Sequence, residues 1–172
     1  MHAPIINCIG YSGSGKTTLI TNLLKLLKEM KNINAAVIKN IHEHQIDKKG
    51  KDTYLYADAG AKYSITKNIY GECTIFIKNP LEIEALVKWL QLGPFHIDMI
   101  FTEGFRYLKV PTILCIKDHS EINEQINDFV KMISLNLNAQ KIEVKKEFKD
   151  YDIPIVEIPE EFEKFVHIFK LG

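Results

Sequence analysis

A phosphate-binding loop motif near the start of the chain constrains the fold more than any other feature of the sequence. Eight consecutive residues match the pattern G-x-x-x-x-G-K-[ST] at every fixed position: Gly10, Tyr11, Ser12, Gly13, Ser14, Gly15, Lys16 and Thr17. An apolar run over residues 4–9 precedes the motif, and residues 16–31 carry apolar side chains at helical spacing. A phosphate-binding loop requires this setting, with a strand before it and a helix after it. The pattern therefore predicts such a loop between a buried strand and an amphipathic helix.

The residue types in the motif explain how it would hold a polyphosphate. The glycines let the backbone wrap closely, so that successive N–H groups point at an anion. The next helix directs its free N-terminal N–H groups, which carry about half a positive charge, at the same place. Lys16 is expected to contact the β- and γ-phosphates and to be a catalytic residue, and the Thr17 hydroxyl is expected in the Mg²⁺ shell. Thr18 is expected at the α-phosphate.

The apolar runs that follow predict an α/β fold. Residues 34–39 form a second strand-like run, so a strand, a helix and a strand succeed one another near the start of the chain. This order implies a parallel sheet with a right-handed crossover. Residues 96–102 and 112–116 are further apolar strands. We expect a three-layer P-loop NTPase (Rossmann-like) fold with a mainly parallel sheet, in one domain over residues 1–172.

The segment between these strands is predicted to be less regular. Residues 40–52 are polar and indicate a loop, and a short helix that stops near Gly60 follows. Residues 62–67 and 73–78 have the pattern of two strands that turn at Gly71, which predicts an antiparallel hairpin.

Helices and strands in the rest of the chain are predicted with alternatives. Asn79-Pro80 is a typical helix start, and Gly93-Pro94 ends that helix. Residues 118–150 stay open, because six apolar residues fit one helix face whereas Val130 to Leu135 fit a strand equally well. The six residues are Ile122, Ile126, Phe129, Val130, Ile133 and Leu137. A strand over residues 153–158 and a helix over 160–170 are expected to close the chain.

Composition and charge argue against several classes of partner and location. Lysine plus arginine and aspartate plus glutamate are each 22, so the net charge is zero and general binding to nucleic-acid phosphates is not expected. The N-terminus has no basic segment followed by an apolar stretch, and no apolar run reaches the ~18 residues of a membrane span. We therefore expect a cytoplasmic protein without a membrane partner. The odd cysteine count (Cys8, Cys73, Cys115) indicates reduced thiols rather than disulfides or a zinc site.

Phosphoryl chemistry needs an acidic group near the metal, and the end of a predicted strand supplies one. The strand over residues 96–102 runs into Glu103, at the carboxyl edge where ligands bind in open α/β sheets. Glu103 is therefore our candidate for a catalytic residue that contacts the metal or the attacking water. A solvated loop glutamate is the alternative, and Asp98 is a second candidate at the other end of the strand.

Three segments within residues 4–116 carry a resemblance to a known family. They are Ile9 to Leu19; Val37-Ile38-Lys39 with His42, His44, Asp47, Lys48, Gly50-Lys51-Asp52-Thr53 and Ala59-Gly60-Ala61; and Thr102-Glu103-Gly104-Phe105-Arg106 with Pro111. The G-K-D-[ST] pattern in the second segment is far more specific than the phosphate-binding loop. The chain resembles the molybdopterin-guanine dinucleotide biosynthesis protein B (MobB) group of small GTP-binding proteins.

The resemblance implies a homodimeric protein that binds GTP and Mg²⁺ and hydrolyses GTP slowly by itself. It also implies a helper of the MobA-type guanylyltransferase, which joins GMP to molybdenum-loaded molybdopterin. The matching positions are then expected to be cofactor-binding: Lys39, His42, His44, Asp47, Asp52, Gly104 and Arg106. The hairpin over residues 62–78 is our candidate for the dimer contact, because an exposed edge strand invites pairing.

The residues themselves leave alternatives open at these positions. His42 and His44 alternate, so in an extended loop they would point the same way, toward phosphate, pterin or a metal; a solvated pair is the alternative. Asp47 and Asp52 lie in a loop from which a switch-like segment reaches the γ-phosphate, or they are solvated.

Three cationic residues are candidates for contacts with an anion. Lys39 and Lys51 could contact an anionic substrate, although in a chain rich in lysine a single one is usually on the surface. Arg106 is the only arginine in the sequence, and it could neutralise a phosphate or a pterin group.

Three other functions compete with the GTP-binding adapter. A small-molecule kinase would carry several lid arginines, because bidentate donors suit phosphate, and one arginine argues against it. A nickel-insertion-type metallochaperone GTPase has the same phosphate-binding loop but would carry N-K-x-D for guanine. The nearest strings, residues 66–69 and 116–119, do not match it. A binding module with a purely structural nucleotide is the non-enzymatic alternative.

Overall fold

The described part of the chain contains seven strands and five helices. The computed structural model describes residues 3–135 and 152–171. In chain order the elements are β1 (Ile5–Ile9), α1 (Lys16–Lys31), β2 (Ala35–Lys39), α2 (Asp52–Asp58), β3 (Ser64–Lys67), β4 (Cys73–Phe76), α3 (Ile83–Gln91), β5 (Met99–Glu103), β6 (Thr112–Ile116), α4 (Glu121–Gln125), β7 (Val130–Leu135) and α5 (Phe162–Phe169).

A five-stranded parallel sheet forms the centre of the fold. The strands lie in the order β2-β5-β1-β6-β7, and every neighbouring pair is parallel. The central strand β1 therefore ends between β5 and β6, and the loop that follows it emerges at the carboxyl edge of the sheet. The mainly parallel sheet that the sequence predicted is confirmed.

The described residues divide into two compact units. The first contains residues up to 40 and from 90 onward, with the parallel sheet, α1, α4 and α5. The second contains residues 41–89, with α2, the strands β3 and β4, and most of α3. The single domain over residues 1–172 stays a prediction.

Apolar side chains cover both faces of the sheet in the first unit. On one face, Leu23 and Leu27 of α1 and Phe165 of α5 pack with the strands, and all three are 0% exposed. On the other face, Ile122 of α4 packs against Leu114 of β6. Both faces of β6 are buried, which explains why its sequence is mostly apolar without alternation. No helix within residues 3–135 and 152–171 is both long and apolar enough to cross a membrane.

The hairpin of the second unit is antiparallel, as predicted. Ser64 pairs with Phe76 at its open end and Lys67 with Cys73 at its turn. In the turn, the side-chain oxygen of Asn68 accepts hydrogen bonds from the backbone N–H groups of residues 70 and 72, both at 3.0 Å. Such side-chain acceptance is the way in which asparagine stabilises tight turns.

The first turn of α3 lies later than the sequence predicted. The helix begins at Ile83 and not at Asn79-Pro80, because the Glu82 carbonyl accepts the N–H groups of Ala85 at 3.1 Å and Leu86 at 3.2 Å. Ile83 is the first residue of the apolar stripe and is buried. Packing of that stripe, rather than the cap preference of Asn79, sets the start of the helix.

The strand predicted over residues 96–102 also begins later, at Met99. Before it, the Asp98 carboxylate accepts the Asn34 backbone N–H at 2.7 Å, and the Asp98 N–H donates to the Asn34 carbonyl at 2.8 Å. This backbone hydrogen bond from Asn34 is the main reason why the pKa of Asp98 is lowered. Asp98 therefore fixes the entry to β5, at the end of the strand away from the loop motif.

Of the two alternatives predicted for residues 118–150, the structure shows the strand, within the described residues 118–135. A short helix, α4, is followed by β7, so a continuous helix through Ile133 is wrong. Leu137 and the rest of that range lie outside the described residues. The strand predicted over residues 153–158 is reduced to one parallel bridge between Ile155 and Ile133, and α5 covers most of the predicted last helix.

We expect Leu23→Ala to lower the free energy of unfolding by about 2–5 kcal/mol, because it opens a cavity in the core beneath α1. Leu92→Ala is the matched control, since Leu92 is 76% exposed. Urea denaturation of both variants measures the difference. Equal stability of the two variants would contradict the placement of α1 on the sheet.

Candidate functional site

The loop between β1 and α1 adopts a conformation that depends on its glycines. Gly10 has a φ of 148°, and a Cβ there would collide with the carbonyl oxygen of Cys115 and the hydroxyl of Ser14. Gly15 precedes α1 in the left-handed region, with a φ of 88°. The Ser14 N–H closes the turn by donating to the Tyr11 carbonyl at 3.2 Å. The chain can therefore curl tightly only because these positions lack a side chain.

The N-terminus of α1 points free N–H groups into this loop. The helix has 16 residues and no acidic residue in its first turn, so nothing in that turn neutralises its partial positive charge. The Leu19 N–H is bonded to the Gly15 carbonyl at 2.9 Å, and the N–H groups before it are available to an anion. The geometry is that of an anion-binding helix start.

The Lys16 side chain folds back over the loop. Its ammonium donates to the carbonyl oxygens of Gly10 at 3.0 Å and Tyr11 at 2.8 Å. These contacts hold a full positive charge at the mouth of the loop, next to the helix N-terminus. The predicted phosphate contact of Lys16 requires only that the ammonium exchange these carbonyls for phosphate oxygens.

Three side chains from different elements converge beside the loop. The Thr17 hydroxyl lies 3.0 and 3.2 Å from the two carboxylate oxygens of Glu103. The Lys39 ammonium lies 3.1 Å from Glu103 Oε1 and 3.4 Å from Thr17 Oγ1. We call Thr17, Lys39 and Glu103 the carboxylate cluster. Thr17 and Glu103, the two residues that the sequence predicted to bind the metal, therefore lie next to each other.

A buried polar network positions Glu103. The Asn7 side chain donates to the Phe105 carbonyl at 2.8 Å and accepts the Thr102 hydroxyl at 2.9 Å. The Asn40 N–H donates to the Glu103 carbonyl at 2.9 Å. Asn7 is 1% exposed and fixes the end of β5 to β1. Sequence analysis missed Asn7, because a polar residue within an apolar run gives no sign of its partners.

The carboxylate cluster fits a magnesium ion by its chemistry. Mg²⁺ binds oxygen ligands and keeps several waters, so one hydroxyl and one carboxylate suffice on the protein side. The Lys39 ammonium shows that this carboxylate already pairs with a cation. Thr17 and Glu103 are the residues that would hold the ion.

The buried cysteines near the site are unreactive. Burial raises the pKa of the Cys115 thiol to about 12, and burial also raises the pKa of Cys8 well above its ordinary value. Both thiols are therefore neutral at physiological pH, and no disulfide joins them. That the cysteines are reduced in the protein stays a prediction.

Arg106 contacts α4 and the loop. Its guanidinium donates to the Gln125 side chain at 2.7 Å and lies 5.3 Å from the centre of the Tyr11 ring. The Tyr11 hydroxyl donates to the Glu124 carboxylate at 2.6 Å, and this bond is the main reason why the pKa of Tyr11 is raised. Arg106 thus helps to fix Tyr11 of the phosphate-binding loop, a contact that the sequence did not reveal.

Lys117 is a second residue that sequence analysis missed. It follows β6, and a Cβ on Gly13 would lie 3.0 Å from the Lys117 ammonium. Lys117 therefore adds a positive charge at the phosphate-binding loop. The feature that could have indicated this role is the position of Lys117 directly after β6, a strand next to β1.

The loop residues of the second unit form an arrangement of their own. The Asp47 carboxylate accepts the Lys48 backbone N–H at 2.9 Å and the Thr53 hydroxyl at 2.8 Å, which connects the loop to α2. Asp52 is the first residue of α2, and His42 and His44 are exposed. Within the described residues, no group of three or more His, Cys, Asp or Glu side chains is arranged to hold a metal.

Comparison with known proteins identifies relatives over most of the chain. The family model for molybdopterin guanine dinucleotide synthesis protein B (MobB) matches residues 5–135. The molybdopterin-guanine dinucleotide biosynthesis adapter protein of Haemophilus influenzae is 29% identical over 168 residues, which cover 96% of this chain and 91% of that protein. A Methanocaldococcus jannaschii protein with a provisional name of the same kind is 34% identical over 147 residues. The match covers 83% of this chain but only 59% of that protein.

Solved structures share the fold. Bacillus subtilis MobB superimposes with a TM-score of 0.69 at 20% identity, over 96% of this chain and 97% of that one. A MobB homologue from Bacillus stearothermophilus gives 0.66 at 13% identity, over 98% and 99%. The predicted α/β fold, with a mainly parallel sheet and an antiparallel hairpin, is thereby confirmed. Because the family model spans residues 5–135, the chain belongs to the molybdopterin guanine dinucleotide synthesis protein B (MobB) family.

Proposed function

We propose that the chain is a GTP-binding adapter protein of molybdopterin guanine dinucleotide biosynthesis, with a slow Mg²⁺-dependent GTPase activity. Its place in this biosynthesis rests on the family and on the adapter proteins among its relatives. Nucleotide binding rests on one observation: the carboxylate cluster converges within 3.4 Å at the free N-terminus of α1. A helix start with adjacent lysines and a metal-suited carboxylate is what a nucleoside triphosphate requires.

The phosphates bind through groups that this chain already orients. The backbone N–H groups of the loop and of the first turn of α1 donate to the phosphate oxygens. The Lys16 ammonium exchanges the Gly10 and Tyr11 carbonyls for anionic oxygens, and a hydrogen bond to a charged group is stronger than one to a neutral carbonyl.

Magnesium, when bound, neutralises charge on the terminal phosphates. Thr17 and Glu103 would hold it. The Lys39 ammonium is the counter-ion of Glu103 in this structure, and it would become available to a phosphate oxygen if a divalent ion paired with the carboxylate instead. Lys39 therefore balances the charge of Glu103 before nucleotide binds and charge on the nucleotide afterwards.

The same residues account for a slow reaction. Glu103 is the only carboxylate of the cluster, so it would have both to hold the metal with Thr17 and to orient the attacking water. An arginine that stabilises the transition state contributes ~10³–10⁵ in rate. Arg106, the only arginine of the chain, is bonded to Gln125 instead.

We assign the MobA-type guanylyltransferase, with molybdopterin, as the partner of this adapter. The support is the family, together with an exposed loop that carries His42 and His44 in the second unit. These imidazoles would donate to the phosphate of the pterin, and Asp47 keeps their loop attached to α2 through Thr53.

We also assign a homodimer, formed through the hairpin of β3 and β4. Ile65 is 63% exposed and pairs across the hairpin with Ile75, and Tyr63, Ile69 and Tyr70 are exposed beside them. A cluster of exposed apolar side chains on a two-stranded edge is typical of an interface.

We expect Lys16→Ala to weaken GTP binding about tenfold or more, because it removes a charge-assisted hydrogen bond. Calorimetric titration with GTP and Mg²⁺ measures the affinity. Lys25→Ala, an exposed lysine on the same helix, is the control and should bind as the wild type does. Unchanged affinity of Lys16→Ala would contradict the site, and tighter binding of ATP with phosphate transfer to a small acceptor would favour a kinase.

Glu103→Gln is expected to slow GTP hydrolysis by about tenfold or more while nucleotide binding stays near normal, because the amide neither neutralises a metal nor orients water as a carboxylate does. Phosphate release under single-turnover conditions gives the rate. Glu29→Gln, an exposed glutamate on α1, serves as the control. If the Glu103→Gln rate equals that of the wild type, Glu103 has no part in the reaction.

Light scattering should give the wild type twice the mass of one chain and Ile65→Lys the mass of one chain. A lysine in the centre of the proposed interface would have to lose its hydration there. Leu92→Lys, a charge at an exposed leucine outside the hairpin, should stay dimeric. A monomeric wild type would remove the homodimer from the proposal.

A further inference from the structure

A cavity of about 180 Å³ lies beside the phosphate-binding loop, on the α1 side. One wall contains Ser14, Thr18 and Asn22; the other contains Ser134 at the end of β7 together with Glu157 and Glu160. Small-molecule sites usually measure roughly 300–1,000 Å³, so this cavity suits a part of a ligand rather than a whole nucleotide. It shares Ser14 and Thr18 with the phosphate site described above, but the wall with Ser134, Glu157 and Glu160 has no part in that site.

The cavity lies where the nucleoside end of a bound triphosphate would be. Thr17 belongs to the carboxylate cluster and so lies at the terminal phosphates, whereas Thr18, the next residue, lines the cavity. Asn22 is one helical turn further along the same face. A polyphosphate that starts at Thr17 and passes Thr18 therefore leads its α-phosphate, and the nucleoside attached to it, to the mouth of the cavity.

The chemistry of the walls suits a nucleoside and not a phosphate. Among the described lining residues none carries a positive charge, and Glu157 and Glu160 are acidic. Ser14 is 1% exposed, and its hydroxyl is buried next to Gly10 without a hydrogen-bond partner among the described residues.

We propose that this cavity receives the nucleoside end of GTP, and that Glu157 and Glu160 accept hydrogen bonds from the guanine N1–H and 2-amino groups. Adenine presents a ring acceptor where guanine has N1–H, so a carboxylate repels it. These two contacts would explain a preference for guanine in a chain that lacks the N-K-x-D string expected for guanine recognition. The inference rests on the proposed GTP binding and names the residues that read the base.

Hydrogen bonds fix the backbone that carries the acidic wall. The Glu157 N–H donates to a carboxylate oxygen of Glu161 at 2.9 Å, and the Glu161 N–H donates to the Glu157 carbonyl at 2.8 Å. The Val156 N–H donates to the Ile133 carbonyl at 3.0 Å, which attaches the segment to β7. A preformed wall loses little conformational entropy on binding, which favours recognition of one base over another.

The test compares GTP, ATP and inorganic tripolyphosphate, each with Mg²⁺, by calorimetric titration. The double variant Glu157→Gln/Glu160→Gln should bind GTP about tenfold or more weakly and lose its preference for GTP over ATP. Its affinity for tripolyphosphate should not fall, because the phosphate loop is intact. Glu29→Gln is the matched control and should keep the full preference for GTP.

A second variant tests the cavity without altering the carboxylates. Asn22→Phe fills the space next to Thr18 and should lose affinity for both GTP and ATP while it retains tripolyphosphate. An unaltered GTP-to-ATP ratio in the double variant, or a parallel loss of tripolyphosphate in both variants, would overturn the inference. A wild type that binds tripolyphosphate but no GTP would instead overturn the proposed function.

Discussion

The structure depends on how the buried carboxylate of Glu103 is stabilised. The residue is 6% exposed, and a carboxylate removed from water is stable only when it is paired and hydrogen-bonded. Thr17 supplies the hydrogen bond from the start of α1, and Lys39 supplies the charge from the end of β2. Three elements are thereby held at one carboxylate. The pairing that stabilises this carboxylate in the fold also places it beside the phosphate loop, where the proposed magnesium ion would bind.

The parts of this site that were predictable are those encoded locally. The loop, α1 and Glu103 follow from a motif of consecutive residues and from the rule that ligands meet the carboxyl ends of parallel strands. Asn7 and Lys117 were not predictable in this way, because their roles depend on partners far away along the chain. Asn7 in particular looks like a polar interruption of a strand until β5 is placed beside it.

The errors in the secondary structure have a related cause. Apolar residues around Ile122 to Ile133 fit a helix face because α4 and β7 both contribute to the same apolar cluster, and the sequence alone does not show that the chain turns between them. At Asn79, a favourable cap residue predicted a helix start that packing moved to Ile83. In both places tertiary contacts outweighed a local preference of about 1 kcal/mol.

A chain with no net charge can orient a polyanion only by separating its charges locally. Lys16 and Lys39 lie at the terminal-phosphate end of the loop, whereas the wall beside Thr18 carries Glu157 and Glu160. A triphosphate bound in the reverse direction would place its most charged end against two carboxylates. The Coulomb repulsion, in a partly desolvated pocket, disfavours that orientation far more than it would in water. If GTP binds as proposed, Glu157 and Glu160 would therefore both disfavour the reversed orientation and discriminate between bases.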